Sequence, residues 1–132
     1  MRILIAEDDD TCSMILASML KPYGAAVVVE DGEALIRTFV TELVNKQPFD
    51  LVCLDIKMPG LDGQACLRCI RAIEQGFGLI GGSGVKILMT TGMNAPESIL
   101  AAFRSQCEGY LVKPIDRTKL IAQLTSLKFT PS

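Results

Sequence analysis

The sequence predicts an α/β domain, a doubly wound five-stranded parallel sheet with five helices on its faces. Three observations carry that prediction. Short apolar runs alternate with segments of helical periodicity along the whole chain. The runs are near-continuous rather than alternating in polarity, as in strands covered on both faces. Each run is followed by a helix, so the connections are right-handed crossovers between parallel strands.

The elements follow in order. Arg2–Ala6 is the first strand. Cys12, Ile15, Leu16, Met19 and Leu20 then recur at helical spacing, with Asp9 or Asp10 as the cap and Gly24 as the stop. Ala25–Val29 is β-branched and reads as a strand. Asp31 caps a helix in which Leu35, Phe39 and Leu43 recur every four residues, ending near Gln47-Pro48. Leu51–Leu54 is the third strand, and Leu61–Gly76 is a helix with Leu67 and Ile70 facing inward. Ile87–Met89 lies in the fourth strand. Asn94-Ala-Pro-Glu97 reads as a capping box with proline in the first turn, opening a helix to about Gln106. Tyr110–Val112 is the fifth strand, and Asp116 caps a last helix carrying Leu120, Ile121, Leu124 and Leu127. The segment Gly76–Gly84 has five glycines in nine residues. It leads from a helix into a strand, so it lies at the wrong edge of the sheet for a phosphate loop and reads as a surface connector. Phe77, Leu79 and Ile80 within it are expected to tuck down as a small cluster.

Composition narrows the function. At 132 residues the chain makes one domain, expected over 1–128 with 129–132 as a tail. It reads as a stand-alone domain or the front of a longer protein. A net charge of −2 argues against coating nucleic acid or a membrane surface. There is no histidine, which excludes a Ser-His-Asp hydrolase and a His-ligated metalloenzyme. Five cysteines in mostly apolar runs, with no secretory segment ahead of them, predict reduced thiols in a cytoplasmic protein. Cys66-x-x-Cys69 has metal spacing but no second pair, so a core reading is preferred.

The chemistry collects where the strands end. Glu7-Asp8-Asp9-Asp10 follows the first strand, Asp55 ends the third, Thr90-Thr91-Gly92 ends the fourth and Lys113-Pro114 follows the fifth. In a parallel sheet these ends share one rim, so carboxylates, a hydroxyl and an ammonium converge there. Asp55 directly follows a core strand, where an acid is costly unless compensated. Close carboxylates repel by roughly 4 kcal/mol per pair at 4 Å and an effective dielectric of 20. An all-oxygen site of this kind suits Mg²⁺. Such a rim can accept a phosphoryl group onto a carboxylate, with Lys113 neutralising the equatorial oxygens and a hydroxyl donating a hydrogen bond. No basic or glycine-rich loop follows the first strand, which argues against a nucleotide-cofactor protein.

These residues carry a resemblance. Ile3-Leu-Ile-Ala-Glu7-Asp8, Asp50-Leu-Val-Cys-Leu-Asp55-Ile-Lys-Met-Pro59-Gly60-Leu-Asp-Gly63, Met89-Thr-Thr91-Gly92 and Gly109-Tyr110-Leu-Val-Lys113-Pro114 occur in the order and at the strand ends of a receiver domain. Over residues 2–127 the chain resembles the CheY-like receivers of two-component response regulators. The resemblance implies the flavodoxin-like strand order 2-1-3-4-5. It implies that Asp55 is the phosphoacceptor and that Glu7, Asp8, Asp55 and the backbone carbonyl of Lys57 hold Mg²⁺. Thr91 matches the switch hydroxyl, with Thr90 as its rival, since Gly92 supplies the small residue expected after it. Tyr110 matches the switch aromatic and Lys113 the lysine, followed by Pro114 in a cis peptide. The implied donor is a sensor histidine kinase or phosphotransfer protein. The implied output is a change of the face formed by the fourth helix, fifth strand and fifth helix, read by a downstream protein or output domain. A phosphorylation-dependent homodimer is also admitted. Only self-catalysed phosphotransfer and dephosphorylation are implied, not enzymatic turnover of a small molecule.

Three departures stand out. Glu7 replaces the more frequent aspartate, the glycine-rich segment lengthens the approach to the fourth strand, and Gly109 stands where some dimerising DNA-binding regulators carry an acid. The alternative function is a phosphorylation-independent interaction domain. Such domains typically lose the acidic pair, the aspartate or the lysine, and this chain keeps all of them.

Overall fold

The computed structural model describes residues 1–58, 60–79, 83–92 and 96–131. The strands β1 (Ile3–Ala6), β2 (Ala26–Val29), β3 (Leu51–Asp55), β4 (Lys86–Thr91) and β5 (Gly109–Val112) form one parallel sheet in the order β2-β1-β3-β4-β5. The helices are α1 (Asp10–Leu20), α2 (Gly32–Val44), α3 (Gly63–Gly76), α4 (Pro96–Arg104) and α5 (Arg117–Ser126). None of the described helices is long and apolar enough to cross a membrane.

Four helices start on an aspartate whose carboxylate accepts the amide N–H three residues on. Asp9 receives Cys12 at 2.9 Å, Asp31 receives Ala34 at 2.8 Å, Asp62 receives Ala65 at 2.9 Å and Asp116 receives Lys119 at 3.3 Å. Each satisfies one of the amides that a helix start leaves orphaned. Asp9 rather than Asp10 caps α1, and the cap at Asp62 moves the start of α3 from Leu61 to Gly63. The Asn94 and Ala95 half of the expected capping box before α4 lies outside the described residues, and α4 ends at Arg104, short of Gln106.

Strand parity divides the core in two. Leu4, Ala6, Val52, Leu54, Ile87 and Met89 point to one face, under Leu35 and Phe39 of α2, Leu67 and Ile70 of α3 and Ala102 of α4. Ile3, Ile5, Leu51, Cys53, Leu88 and Leu111 point to the other, under Leu16 and Leu20 of α1 and Leu120 and Leu124 of α5. β2 departs from the expected doubly covered strand. It is a sheet edge, and Val27 and Val28 are left partly exposed. Ile15 and Ile121 are exposed as well, because only one stripe of α1 and α5 meets the sheet. Phe77 does not tuck down. It is 52% exposed, Leu79 is half-buried, and Ile80 lies outside the described residues. All the cysteines are free thiols, and Cys53, Cys66 and Cys107 are buried. Burial pushes the Cys53 thiol up to about 12.

An ion network that the sequence did not disclose closes the edge where β4 begins. Arg71 of α3 donates to Glu74 at 2.7 Å, to Glu108 at 2.8 Å and to the carbonyls of Val85 and Gln106. The Glu74 carboxylate receives the Val85 amide at 2.6 Å, and that of Glu108 receives the Ile87 amide at 2.6 Å. Glu74 is buried and Arg71 and Glu108 are partly so, and all three are partnered, the condition under which burial is tolerated.

The packing predicts a contrast on two helices. Leu67→Ala removes a side chain with no exposure from beneath the sheet and is expected to cost about 2–5 kcal/mol in urea denaturation. Met14→Ala, at a position 72% exposed on α1, is expected to stay within about 0.5 kcal/mol of wild type.

Candidate functional site at the carboxyl ends of the strands

Because the strands run parallel, their carboxyl ends meet on one rim. β1 delivers Glu7 and Asp8 and β3 delivers Asp55, and carboxylate oxygens of the three lie within 4.8 Å of one another. Glu7 and Asp55 are buried, while Asp8 is exposed. The turn after β5 brings Lys113 across them. Its ammonium lies 2.5 Å from Glu7 Oε1 and 3.2 Å from Asp55 Oδ2. Backbone donors hold the acids in place. The Lys57 amide donates to Asp55 Oδ1 at 3.2 Å, and the Asp9 amide donates to Glu7 Oε2 at 3.2 Å. The Lys113–Pro114 peptide is cis, as the sequence motif implied.

Gly63 permits the close approach that shapes this rim. A Cβ there would collide with the Asp55 carbonyl and with Ile56 Cα, while the Gly63 amide donates to the Ile56 carbonyl at 2.9 Å. Only a residue without a side chain lets α3 start so close to the end of β3. Beside the acids opens a cavity of about 490 Å³, lined by Asp8, Ile56, Lys57, Met58, Asp62 and Gln64.

The two threonines are separated by parity. Thr90 is the register partner of Asp55, and alternation puts it on the face of Leu88 and Cys53. Thr91 falls on the opposite face, with Met89 and Tyr110. Both are buried. The Thr91 carbonyl receives the Lys113 amide at 2.7 Å, so the two residues are tied through the backbone. Tyr110 is half-buried, and its ring meets that of Phe103 on α4 edge-to-face, with centroids 6.0 Å apart. Phe103 is not legible from sequence as Tyr110's neighbour, since the contact depends on how α4 lies against β5.

The profile of the response regulator receiver domain matches residues 3–125. The chain belongs to that family. Among curated relatives, the sensor histidine kinase GacS of Pseudomonas protegens is 32% identical over 98% of this chain, which spans 13% of that protein. The transcriptional regulatory protein RprY of Bacteroides fragilis is 28% identical over 96% of this chain, which spans 49% of it. The receiver thus accounts for a minor share of the kinase and about half of the regulator. Among solved structures, the CheX–CheY–BeF₃–Mg²⁺ complex from Borrelia burgdorferi shares the fold with a TM-score of 0.81 at 22% identity. That match covers 98% of this chain and 90% of the other. A complex of the Saccharomyces cerevisiae phosphotransfer protein Ypd1 with the Ssk1 receiver matches with a TM-score of 0.80 at 24% identity, over 95% of this chain and 86% of that one.

The charge balance of the receiver's rim sets the state of its lysine. Burial disfavours the Lys113 ammonium, but the hydrogen bond to Glu7 and the charge of Asp55 outweigh it and hold the group above its ordinary 10.5. A folded-state value above the unfolded one stabilises the fold below the unfolded value, and that contribution is lost as pH rises through the folded value. The stability difference between wild type and Lys113→Met is therefore expected to be flat near neutral pH and to shrink above 10.5. Chemical denaturation along a pH series measures it. A difference that grows with pH would mean the carboxylates do not hold that proton.

Proposed function

We propose that this receiver accepts a phosphoryl group from the phosphohistidine of a sensor kinase or phosphotransfer protein onto Asp55. The observation that carries the reading is the ammonium of Lys113 set between Glu7 and Asp55, beside an open cavity. An Asp55 oxygen attacks phosphorus, the P–N bond breaks, and its electron pair leaves with the imidazole. An acyl phosphate forms on the aspartate.

The donor set at the rim is all oxygen and rich in carboxylate, which fits a hard divalent ion that keeps some of its waters. Glu7, Asp8, Asp55 and the Lys57 carbonyl would hold Mg²⁺, which supplies charge neutralisation for the transferring group. The residues of the chain do the rest. Lys113 moves its contact from Asp55 to a phosphoryl oxygen, and the Lys57 amide keeps the acceptor carboxylate oriented. Glu7 keeps a share of the ammonium in both states.

The output reading follows from strand parity. Phosphorylation adds close to two negative charges at the mouth of β3. The Thr91 hydroxyl turns toward the phosphoryl oxygens, and Tyr110, on the same face, moves into the space behind it. Tyr110 carries Phe103 and α4 with it, so the α4–β5–α5 face changes shape and a downstream partner reads it. Moving such an equilibrium from 1:99 to 99:1 takes about 5.5 kcal/mol, within reach of a few charge-assisted hydrogen bonds.

Two experiments test these steps separately. With Mg²⁺ and a small phosphodonor, intact mass is expected to rise by one phosphoryl group, and Asp55→Asn is expected not to change. An unmodified wild-type chain would overturn the acceptor assignment. For the switch, a phosphoryl mimic with Mg²⁺ is expected to shift the Tyr110 and Phe103 ring resonances, and Thr91→Ala to abolish that shift while leaving Asp55 modifiable. Identical Tyr110 and Thr91 rotamers in both states would refute the coupling.

A further inference from the structure

A second cavity, of about 510 Å³, lies between α3 and the end of α4, at the edge of the sheet where β4 begins. Its walls carry Arg68, Arg71 and the carboxylate of Glu74 from α3 and Arg104 from α4, with Gln75, Ser105 and Gln106 beside them, and Glu74 is neutralised by Arg71. The three guanidiniums are not equivalent. Arg71 is committed to Glu74, Glu108 and two backbone carbonyls, and its N–H groups are spent on them. Arg68 and Arg104 are exposed, and none of the described residues forms a hydrogen bond or ion pair with either. Two guanidiniums that no described residue neutralises therefore border one polar cavity on a chain whose net charge is −2.

The chemistry of that pair selects a ligand. A guanidinium presents its donors as a planar fork that matches phosphate oxygens bidentately. A diphosphate can offer oxygens to both walls, with a charge that neither chloride nor a single carboxylate matches. The cavity falls within the roughly 300–1,000 Å³ typical of small-molecule sites. It has room beyond a phosphate, with Ala72 and Leu79 as apolar lining for an organic part. We infer that the α3–α4 cleft binds a small phosphorylated molecule through Arg68 and Arg104, independently of the phosphoacceptor rim.

Such binding has a consequence for α4. Arg104 directly follows Phe103, whose ring meets Tyr110. A ligand spanning the two arginines ties the end of α4 to α3 and so bears on the aromatic pair. Only this consequence rests on the switch described above, and the binding itself does not.

The test uses inorganic pyrophosphate as the probe, in EDTA at constant ionic strength, followed by amide NMR. Saturable shifts are expected along 68–75 and 104–106, equal in wild type and Asp55→Asn. Arg68→Ala and Arg104→Ala are each expected to weaken binding by about tenfold or more, the equivalent of one lost charge-assisted contact, and the double variant to abolish it. Both side chains are exposed and pair with none of the described residues, so the double variant should keep its far-UV circular dichroism. The Arg68→Lys, Arg104→Lys variant keeps the charge but not the fork, and is expected to bind with intermediate affinity. Shifts that persist in the double alanine variant, shifts confined to the acidic rim, or none in the millimolar range would overturn the site. Binding that leaves Tyr110 unmoved would overturn the link to α4 alone.

Discussion

The ammonium of Lys113, held between the carboxylates of Glu7 and Asp55, is the contact on which the acidic rim depends. Without it the sheet would end in three close carboxylates, two of them buried. Because Lys113 arrives from the last strand and the acids from the first and third, the pair also ties together strands far apart in sequence. The glutamate at position 7 matters here. Its longer arm reaches the ammonium more closely than Asp55 does, 2.5 Å against 3.2 Å. The Asp55 carboxylate is thus the more distant of the two partners, a bias that suits the phosphoacceptor role proposed for it.

The two edges of the sheet treat charge differently. At the amino-terminal edge of β4, Arg71 is locked by Glu74 and Glu108, and both carboxylates also receive backbone amides. A network so fully satisfied rigidifies what it holds. It fixes the end of α3, the start of β4 and the loop before β5 relative to one another. At the carboxyl edge the acids outnumber the ammonium, so that edge can still gain from a cation or a new ligand. The loop after α4 is held near Arg71 through Gln106, whereas Phe103 one turn earlier meets Tyr110. In the switch proposed above, movement at the rim would reach α4 through that ring contact, against a fixed far end.

Division of the core by strand parity gives this transmission its direction. Asp55 lies on the α1–α5 side of the sheet, by alternation with Cys53, and Lys113 reaches it from the turn after β5. Thr91 and Tyr110 lie on the α2–α3–α4 side. The proposed switch would cross the sheet at the Thr91 hydroxyl, at the end of β4.

Much of this was legible in the sequence. The apolar runs, the aspartate caps at Asp31 and Asp116, and the placing of Glu7, Asp8, Asp55 and Lys113 at strand ends are local properties. Periodicity and capping chemistry express them within a few residues. Other features needed the fold. The exposure of Val27 and Val28 follows from β2 being an edge, which no window around those residues reveals. The need for glycine at position 63 follows from how closely α3 approaches Asp55, and the exposure of Phe77 from where the end of α3 lies in the fold. Arg71, Glu74 and Glu108 looked like ordinary helix and loop charges. Their pairing spans up to 37 residues and exists only because α3, β4 and β5 share one edge. Sequence determines which residues can do chemistry and on which element each sits. Tertiary structure alone decides which charges meet, because desolvation and Coulomb energy depend on distances through space that the chain's order does not contain.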